Sequence, residues 1–390
     1  MSVTHPQGFR ASGVAGGLKA SGGLDVALVV NDGPDAIAAG VFTGNRVKAA
    51  PVMWSQQVLK GGIVRAVVLN SGGANACTGT QGFRDTHATA EHTAAVLRGA
   101  PKPLLIGAGD VAVCSTGLIG ELLPMGKLLP GVTAAVKALG ADGGGRAAEA
   151  IMTTDTVAKE AVVEGDGWSV GGMAKGAGML APALATMLVV LTTDADVDAA
   201  TCDHALRTAT RVTFDRLDSD GCMSTNDTVT LLASGASGAK PSFEEFSGAL
   251  VRACSELAMQ LLADAEGSDH EIAITTVNAA TEDDAVAVGR SVARSNLFKA
   301  AVFGKDPNWG RVLASIGTTD AAFDPGDLDV AMNGVWVCRA STPAEDPALV
   351  DLSDRKVTVT IDLKAGDALA TVWTNDLTHA YVHENSAYSS

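Results

Sequence analysis

Residues 175–195 read KGAGMLAPALATMLVVLTTDA. The stretch begins as a loop rich in Gly and Pro and continues, over residues 187–191, as an unbroken apolar run that reads as a buried strand. Thr186 stands on the seam, so a single hydroxyl marks the point where loop meets core.

Working outward, short β-branched runs alternate with Gly-rich turns: DVALVV at 25–30, AVVLN at 66–70 and VAVCSTG at 111–117. Between them lie Ala-rich stretches such as DTHATAEHTAAVLRGA, with apolar and small residues at helical spacing. Downstream, DVDAATCDHALRTATRVTFDRL and FEEFSGALVRACSELAMQLLADAEG read as helices. In the second, Phe246, Leu250, Cys254, Leu257 and Leu261 form one apolar stripe. Further strands are expected at EIAITTV, DVAMNGVWV and KVTVTIDL, the last a period-two alternation. Alternating strands and helices predict an α/β or α+β fold. A chain of 390 residues suffices for two domains, or for one large layered domain with an extension. TTD recurs at 153, 192 and 318 with no repeat architecture around it.

Apolar residues make up 47% and charged residues 18%, a globular composition. The formal charge of −16, without any Lys/Arg run, excludes a phosphate-backbone footprint and hence a nucleic-acid partner. An acidic surface favours solubility and would also attract a cationic substrate. The six cysteines show no CxxC pair and read as free thiols of a reducing compartment. The opening MSVTHPQGFRASGV lacks the basic and apolar segments of a signal peptide, and no apolar run approaches 18 residues. A cytoplasmic protein without a membrane partner is expected.

Most catalytic signatures are missing. The histidines are dispersed, and His87 and His92 lie five apart, off the shared face of a HExxH metal site, so no metal is expected. There is no GxSxG elbow and no Walker loop. GDGWSVGGMAKGAG leads to a strand and not to a helix N-terminus, which argues against phosphate cradling. Thr186 carries two readings. It caps an ordinary buried strand, or it is a nucleophile that frees its own α-amine by attacking the carbonyl of Ala185. That attack would move the acyl group from N to O and let water hydrolyse the ester. Gly176, Gly178 and Pro182 supply a mobile loop before it, and residues 187–191 an anchor behind.

MAKGAGMLAPALATML resembles the self-cleavage motif of the glutamate N-acetyltransferase family, also called ornithine acetyltransferase, of arginine biosynthesis. NSGGANACTG (70–79), CSTGLIGELLP (114–124), IMTTDT (151–156), STNDT (224–228), ADAEG (263–267), DPNWGRV (306–312) and the terminal ENSAYSS resemble the same family, over essentially the whole chain. The resemblance implies scission between Ala185 and Thr186 into α and β chains that stay together as an α2β2 heterotetramer. Thr186 would then carry acetyl from N-acetylornithine to glutamate without a cofactor, with acetyl-CoA as a possible second donor. It implies an oxyanion hole at Thr116 and Gly117, whose alternative is a strand-ending turn. It implies a substrate site of Thr153, Lys175, Thr186, Glu266, Asn385 and Ser390. There Glu266 would meet the ornithine ammonium, and Lys175 the α-carboxylate or the nucleophile. Asn385 and Ser390 would bring the chain end back over the site.

The implied fold is a layered α/β sandwich of helices and sheets with a smaller C-terminal α/β domain. Residues 1–185 would form the α chain, 186–280 would complete the catalytic domain, and 281–390 would form the smaller domain. DPNWGR has a structural alternative, with Trp309 buried and Asn308 and Arg311 satisfying loop carbonyls. Two departures from the family stand out. Ser268, Asp269 and His270 replace a Thr and a basic residue, which bears on substrate preference; Cys222 and Met223 replace small hydroxyl residues, read as a packing change. The competing expectations are a self-cleaving Thr amidohydrolase or acyltransferase for another acyl amino acid, and an uncleaved binding protein.

Overall fold

The computed structural model describes residues 2–179 and 187–387. Among these residues the strands form three sheets. The first has the order β1 (Phe9–Val14), β2 (Val26–Asn31), β4 (Ala66–Ser71), β5 (Val111–Thr116), with only β4 and β5 parallel. The second has the order β3 (Ile37–Phe42), β9 (Thr228–Ala233), β8 (Leu188–Thr193), β7 (Ser169–Lys175), β6 (Lys159–Glu164), with only β8 and β9 parallel.

These two sheets stack face to face, and each is covered outside by helices. Ala27 and Val29 of β2, Val67 and Leu69 of β4 and Ala112 and Cys114 of β5 meet Met173, Leu188, Val190 and Leu232 of the second sheet in one core. The alternate residues Val26, Leu28 and Val30 face Ala90, Ala94 and Leu97 of helix Gly79–Arg98 and Leu128 and Val132 of helix Met125–Lys137. On the far side Val189 and Leu191 pack on helices Ala199–Val212 and Phe243–Ala263, whose stripe Phe246, Leu250, Cys254, Leu257, Leu261 is wholly buried as expected. The result is a four-layer sandwich: helices, sheet, sheet, helices. Strands buried on both faces read as continuous apolar runs, and for that reason 187–191 was visible as β8.

β7 is a strand where the sequence suggested only a Gly-rich approach to one. Gly171 stands in its middle because a Cβ there would lie 2.3 Å from the Ser2 carbonyl oxygen, so the close approach of the N-terminus excludes any side chain.

The third sheet has the order β13 (Thr342–Pro343), β12 (Val335–Arg339), β11 (Asp329–Met332), β14 (Lys356–Asp362), β10 (Glu271–Ala279), β15 (Ala368–Asn375). Its buried face carries its own core with helices Glu282–Ala293, Asn296–Phe303 and Trp309–Ile316. The other face is more exposed, which gives KVTVTIDL its alternation. DVAMNGVWV is a hairpin and not one strand: Asn333 (φ 45°) and Gly334 (φ 83°) turn the chain between β11 and β12. The third sheet is stitched to the sandwich by polar contacts. The Asp218 N–H donates to the Trp373 carbonyl (2.8 Å), and Asn375 Nδ2 donates to the carbonyls of Leu262 and His270 (3.1 Å each). The layered α/β class with a smaller C-terminal α/β part is therefore borne out. No helix among the described residues is long and apolar enough to cross a membrane.

Leu257, fully buried between helix Phe243–Ala263 and the second sheet, tests the packing. Leu257→Ala is expected to cost about 2–5 kcal/mol, read as a lowered denaturant midpoint with an unchanged slope.

Candidate active site

β5 and β7 end side by side at one rim of the sandwich, and their last residues are Thr116 and Lys175. Thr116, Gly117, Thr153, Lys175, Glu266 and Asn385 line one cavity there, with Ser224, Thr225 and Asn226 beside them. These are the expected site residues that fall among the described ones. Ala185, Thr186 and Ser390 lie outside the described residues. The described chain resumes at Met187, whose N–H donates to Asp227 Oδ1 (3.0 Å) at the head of β9.

The turn after β5 is built by glycine. Gly72 and Gly73 both donate to the Thr116 carbonyl (3.0 and 2.9 Å), locking the NSGG and CSTG segments together. Gly117 has φ +127°, and a Cβ there would sit 2.5 Å from the Gly73 nitrogen. Only glycine fits. Asn226, buried, holds the same corner from the second sheet by donating to the carbonyls of Ala74 (2.6 Å) and Ser115 (2.8 Å). Gly117→Ala is therefore expected to displace this turn, leaving a folded protein whose turnover falls at least about 100-fold in a steady-state assay.

Lys175 is fully buried, and Nζ donates to Thr116 Oγ1 (3.3 Å). Burial lowers its pKa from the usual lysine value; the nearby Asp155, Asp227 and Glu266 oppose the shift, and Lys159 reinforces it. Asp155 accepts the Gly176 N–H (2.6 Å) on Oδ1 and the Thr153 N–H (2.9 Å) on Oδ2, so one carboxylate places residues of two site segments. Burial pushes Asp155 up, but Lys175 and Lys159 outweigh it and hold the carboxyl at about 2. Asp227 is driven the other way, well above the carboxylate range, because burial outweighs the Met187 N–H and the more distant Lys175. Glu266 Oε2 accepts from Asn385 Nδ2 (3.0 Å), so the C-terminal helix His379–Ala387 does reach the site.

Because the pKa of Asp155 is lower in the fold than its ordinary 3.8, its charge stabilises the fold above about pH 4, and that contribution is lost as pH falls towards 2. The amount is on the order of 2 kcal/mol. Urea titrations between pH 5 and about 2 should show the stability gap between the native chain and Asp155→Asn closing by that amount.

The departures at 268–270 do not face the cavity. His270 is buried with Nδ1 against Asp376 Oδ2 (2.6 Å) and Nε2 against the Leu352 carbonyl (3.2 Å), Asp269 is exposed, and Ser268 Oγ accepts from Asn375 Nδ2 (3.0 Å). They belong to the joint between the sandwich and the third sheet. The expected bearing on substrate preference has no contact behind it among the described residues. Trp309 is half-buried against the third-sheet core, Asn308 caps the following helix through the Arg311 N–H (3.3 Å) and donates to Asp306 Oδ2 (2.9 Å), and Arg311 donates to the Leu297 carbonyl (2.5 Å). Of the structural alternative for DPNWGR, only the Arg311–carbonyl contact and a partial burial of Trp309 are found. His92 pairs with Thr133 (2.8 Å), and no metal-binding cluster occurs among the described residues. Sequence reasoning missed Asp155, Lys159, Asn226 and Asp227. All four lie inside or next to quoted motifs, but nothing in residue type alone distinguishes a buried Asp or Lys from a surface one.

A cavity lined by a buried amine, a carboxylate and a glycine-built turn is that of an enzyme. A family model described as the ArgJ family matches residues 10–390, and the chain belongs to that family. It is 65% identical over 390 residues to the arginine biosynthesis bifunctional protein ArgJ of Streptomyces coelicolor, covering 100% of both chains. It is 66% identical over the same full lengths to that of Streptomyces avermitilis. Among solved structures, ornithine acetyltransferase complexed with ornithine from Mycobacterium tuberculosis is 61% identical, covering 48% of this chain and 96% of that chain, with a TM-score of 0.46. The family expected from the motifs is the family found.

Proposed function

We propose that the chain cleaves itself between Ala185 and Thr186 and works as a glutamate N-acetyltransferase of arginine biosynthesis. It moves acetyl from N2-acetyl-L-ornithine to L-glutamate through an ester on Thr186. The observation that carries this is the convergence of Thr116, Gly117, Thr153, Lys175, Glu266 and Asn385 on one cavity.

In the cleavage step Thr186 Oγ attacks the Ala185 carbonyl carbon, the peptide nitrogen takes the hydroxyl proton, and water hydrolyses the resulting ester. An α-amine is left on Thr186 and a carboxylate on Ala185. In transfer, that amine takes the Thr186 proton as Oγ attacks the acetyl carbonyl, then returns it to the departing ornithine amine. The amine of glutamate attacks the acetyl ester and restores the hydroxyl. Thr116 and Gly117 donate to the oxyanion of each tetrahedral intermediate. Accepting from Lys175 leaves the Thr116 hydroxyl hydrogen free to point at that oxygen. Glu266, steadied by Asn385, faces the ornithine ammonium, and Thr153, Ser390 and Lys175 complete the substrate contacts.

Scission at this point would not release either chain. β3, β6 and β7 precede residue 185 while β8 and β9 follow it, so the second sheet is woven from both pieces through the β3–β9 and β7–β8 ladders. Residues 1–185 form the α chain and the remainder the β chain, and because β10 belongs to the third sheet the smaller C-terminal unit begins near residue 271 and not at 281. An α2β2 assembly in the cytoplasm is the expected working form. The word bifunctional in the names of the Streptomyces proteins supports acetyl-CoA as a second donor.

Denatured mass of the purified protein is expected to show two fragments, one starting at Thr186, while Thr186→Ala stays intact and transfers no acetyl. A Thr186→Ala chain that still splits before residue 186 would contradict the proposal. With the native enzyme, acetylornithine and glutamate should give acetylglutamate; release of free acetate instead would identify an amidohydrolase. Glutamate should also be acetylated when acetyl-CoA is the only donor.

A further inference from the structure

The proposed acetyl transfer assigns no role to Lys159, one of the largest wholly buried side chains among the described residues. A buried ammonium is rare unless paired, and its retention asks for a reason. Nζ contacts Asp155 Oδ1 (2.7 Å), Asp264 Oδ2 (2.6 Å) and the Val157 carbonyl (3.3 Å), which uses all three of its hydrogens. Lys159 does not line the cavity, so it is not a substrate ligand.

Its two carboxylates reach the site from opposite sides. Asp155 accepts the N–H of Thr153 and that of Gly176, the residue next to Lys175. Asp264 follows helix Phe243–Ala263, two residues before Glu266, and accepts the Thr156 N–H (3.0 Å) and hydroxyl. One ammonium thus ties the 153–156 loop, the end of β7 and the approach to Glu266 into a single unit.

We propose that Lys159 is a positioning residue for acetyl transfer: it fixes Thr153, Lys175 and Glu266 relative to one another through Asp155 and Asp264, and shares the charge of Asp155 with Lys175. The proposal rests on Lys175 acting in the transfer described above. The charged groups facing Lys175 are Asp155, Asp227 and Glu266, which favour its ammonium, and Lys159, which opposes it alongside burial. With Lys159 removed, Asp155 is left to Lys175 alone, and the Lys175 proton is held more tightly.

The test uses Lys159→Met, and Lys159→Met with Asp264→Asn, which removes the carboxylate otherwise left without its ammonium. Two readouts are followed against pH in the full-length enzyme. One is kcat/KM for transfer from acetylornithine to glutamate. The other is the acylation of Lys175 by trace acetic anhydride, read by peptide mass, which needs no acetyl-transfer turnover. The labelling profile is expected to move to higher pH by about one unit, and kcat/KM for transfer to fall about tenfold as Thr153, Lys175 and Glu266 lose their common anchor. Adding Asp155→Asn should move the labelling profile back. A folded double variant whose Lys175 labels with the native pH profile would overturn the proposal. Failure of the unmodified enzyme to transfer acetyl would instead overturn the functional reading, and the labelling profiles would still decide the role of Lys159.

Discussion

The antiparallel pairing of β7 with β8 is the constraint on which the site depends. Its register sets Lys175 opposite Leu188, so the last residue of one strand lies across from the first residue of the next. β8 in turn runs parallel to β9, with Leu188 beside Thr228, which brings Asp227 to the Met187 N–H. A one-residue slip would invert every side chain of β8 between the two cores, so the hydrophobic layers enforce the register. Packing energy spread over two cores thus fixes the position of a few polar atoms.

Those polar atoms are placed at a thermodynamic cost. Lys159, Lys175, Asp155 and Asp227 are all buried, and ions removed from water are retained in a fold when they hydrogen-bond well or serve chemistry. Here most do both. Asp155 accepts from the Lys159 ammonium and two backbone N–H groups, whereas Lys175 has its contact with Thr116 and feels the carboxyls of Asp155, Asp227 and Glu266 through their charge. The arrangement leaves its amine less basic than a surface lysine's.

Much of this was legible in the sequence where the physics leaves a periodic or compositional trace. The run 187–191 announced β8 because strands buried on both faces read as largely continuous apolar runs, and the stripe from Phe246 to Leu261 announced its helix. The family motifs supplied Thr116, Gly117, Thr153, Lys175, Glu266 and Asn385, which the fold then brings to one cavity. β7 was hidden because its glycines answer tertiary contacts, Gly171 with Ser2 and Gly172 with Leu191 and Leu257, that no local pattern reports. The Asp155–Lys159–Asp264 unit was hidden because Asp264 lies more than a hundred residues from the other two. The change at Ser268, Asp269 and His270 was expected to bear on substrate preference, and what His270 touches, Asp376 and the Leu352 carbonyl, shows only once the third sheet has docked.

The acetyl ester on Thr186 is the species on which the account turns. The most direct measurement is an acid quench of the enzyme incubated with N-acetylornithine alone, followed by peptide mass analysis. The account predicts that the peptide beginning with Thr186 gains the mass of one acetyl group, and that adding glutamate before the quench discharges it into acetylglutamate. A Thr186 peptide that stays unmodified while acetylglutamate forms in a parallel reaction would show that acetyl passes directly between substrates, and the nucleophile assigned to the seam would be wrong.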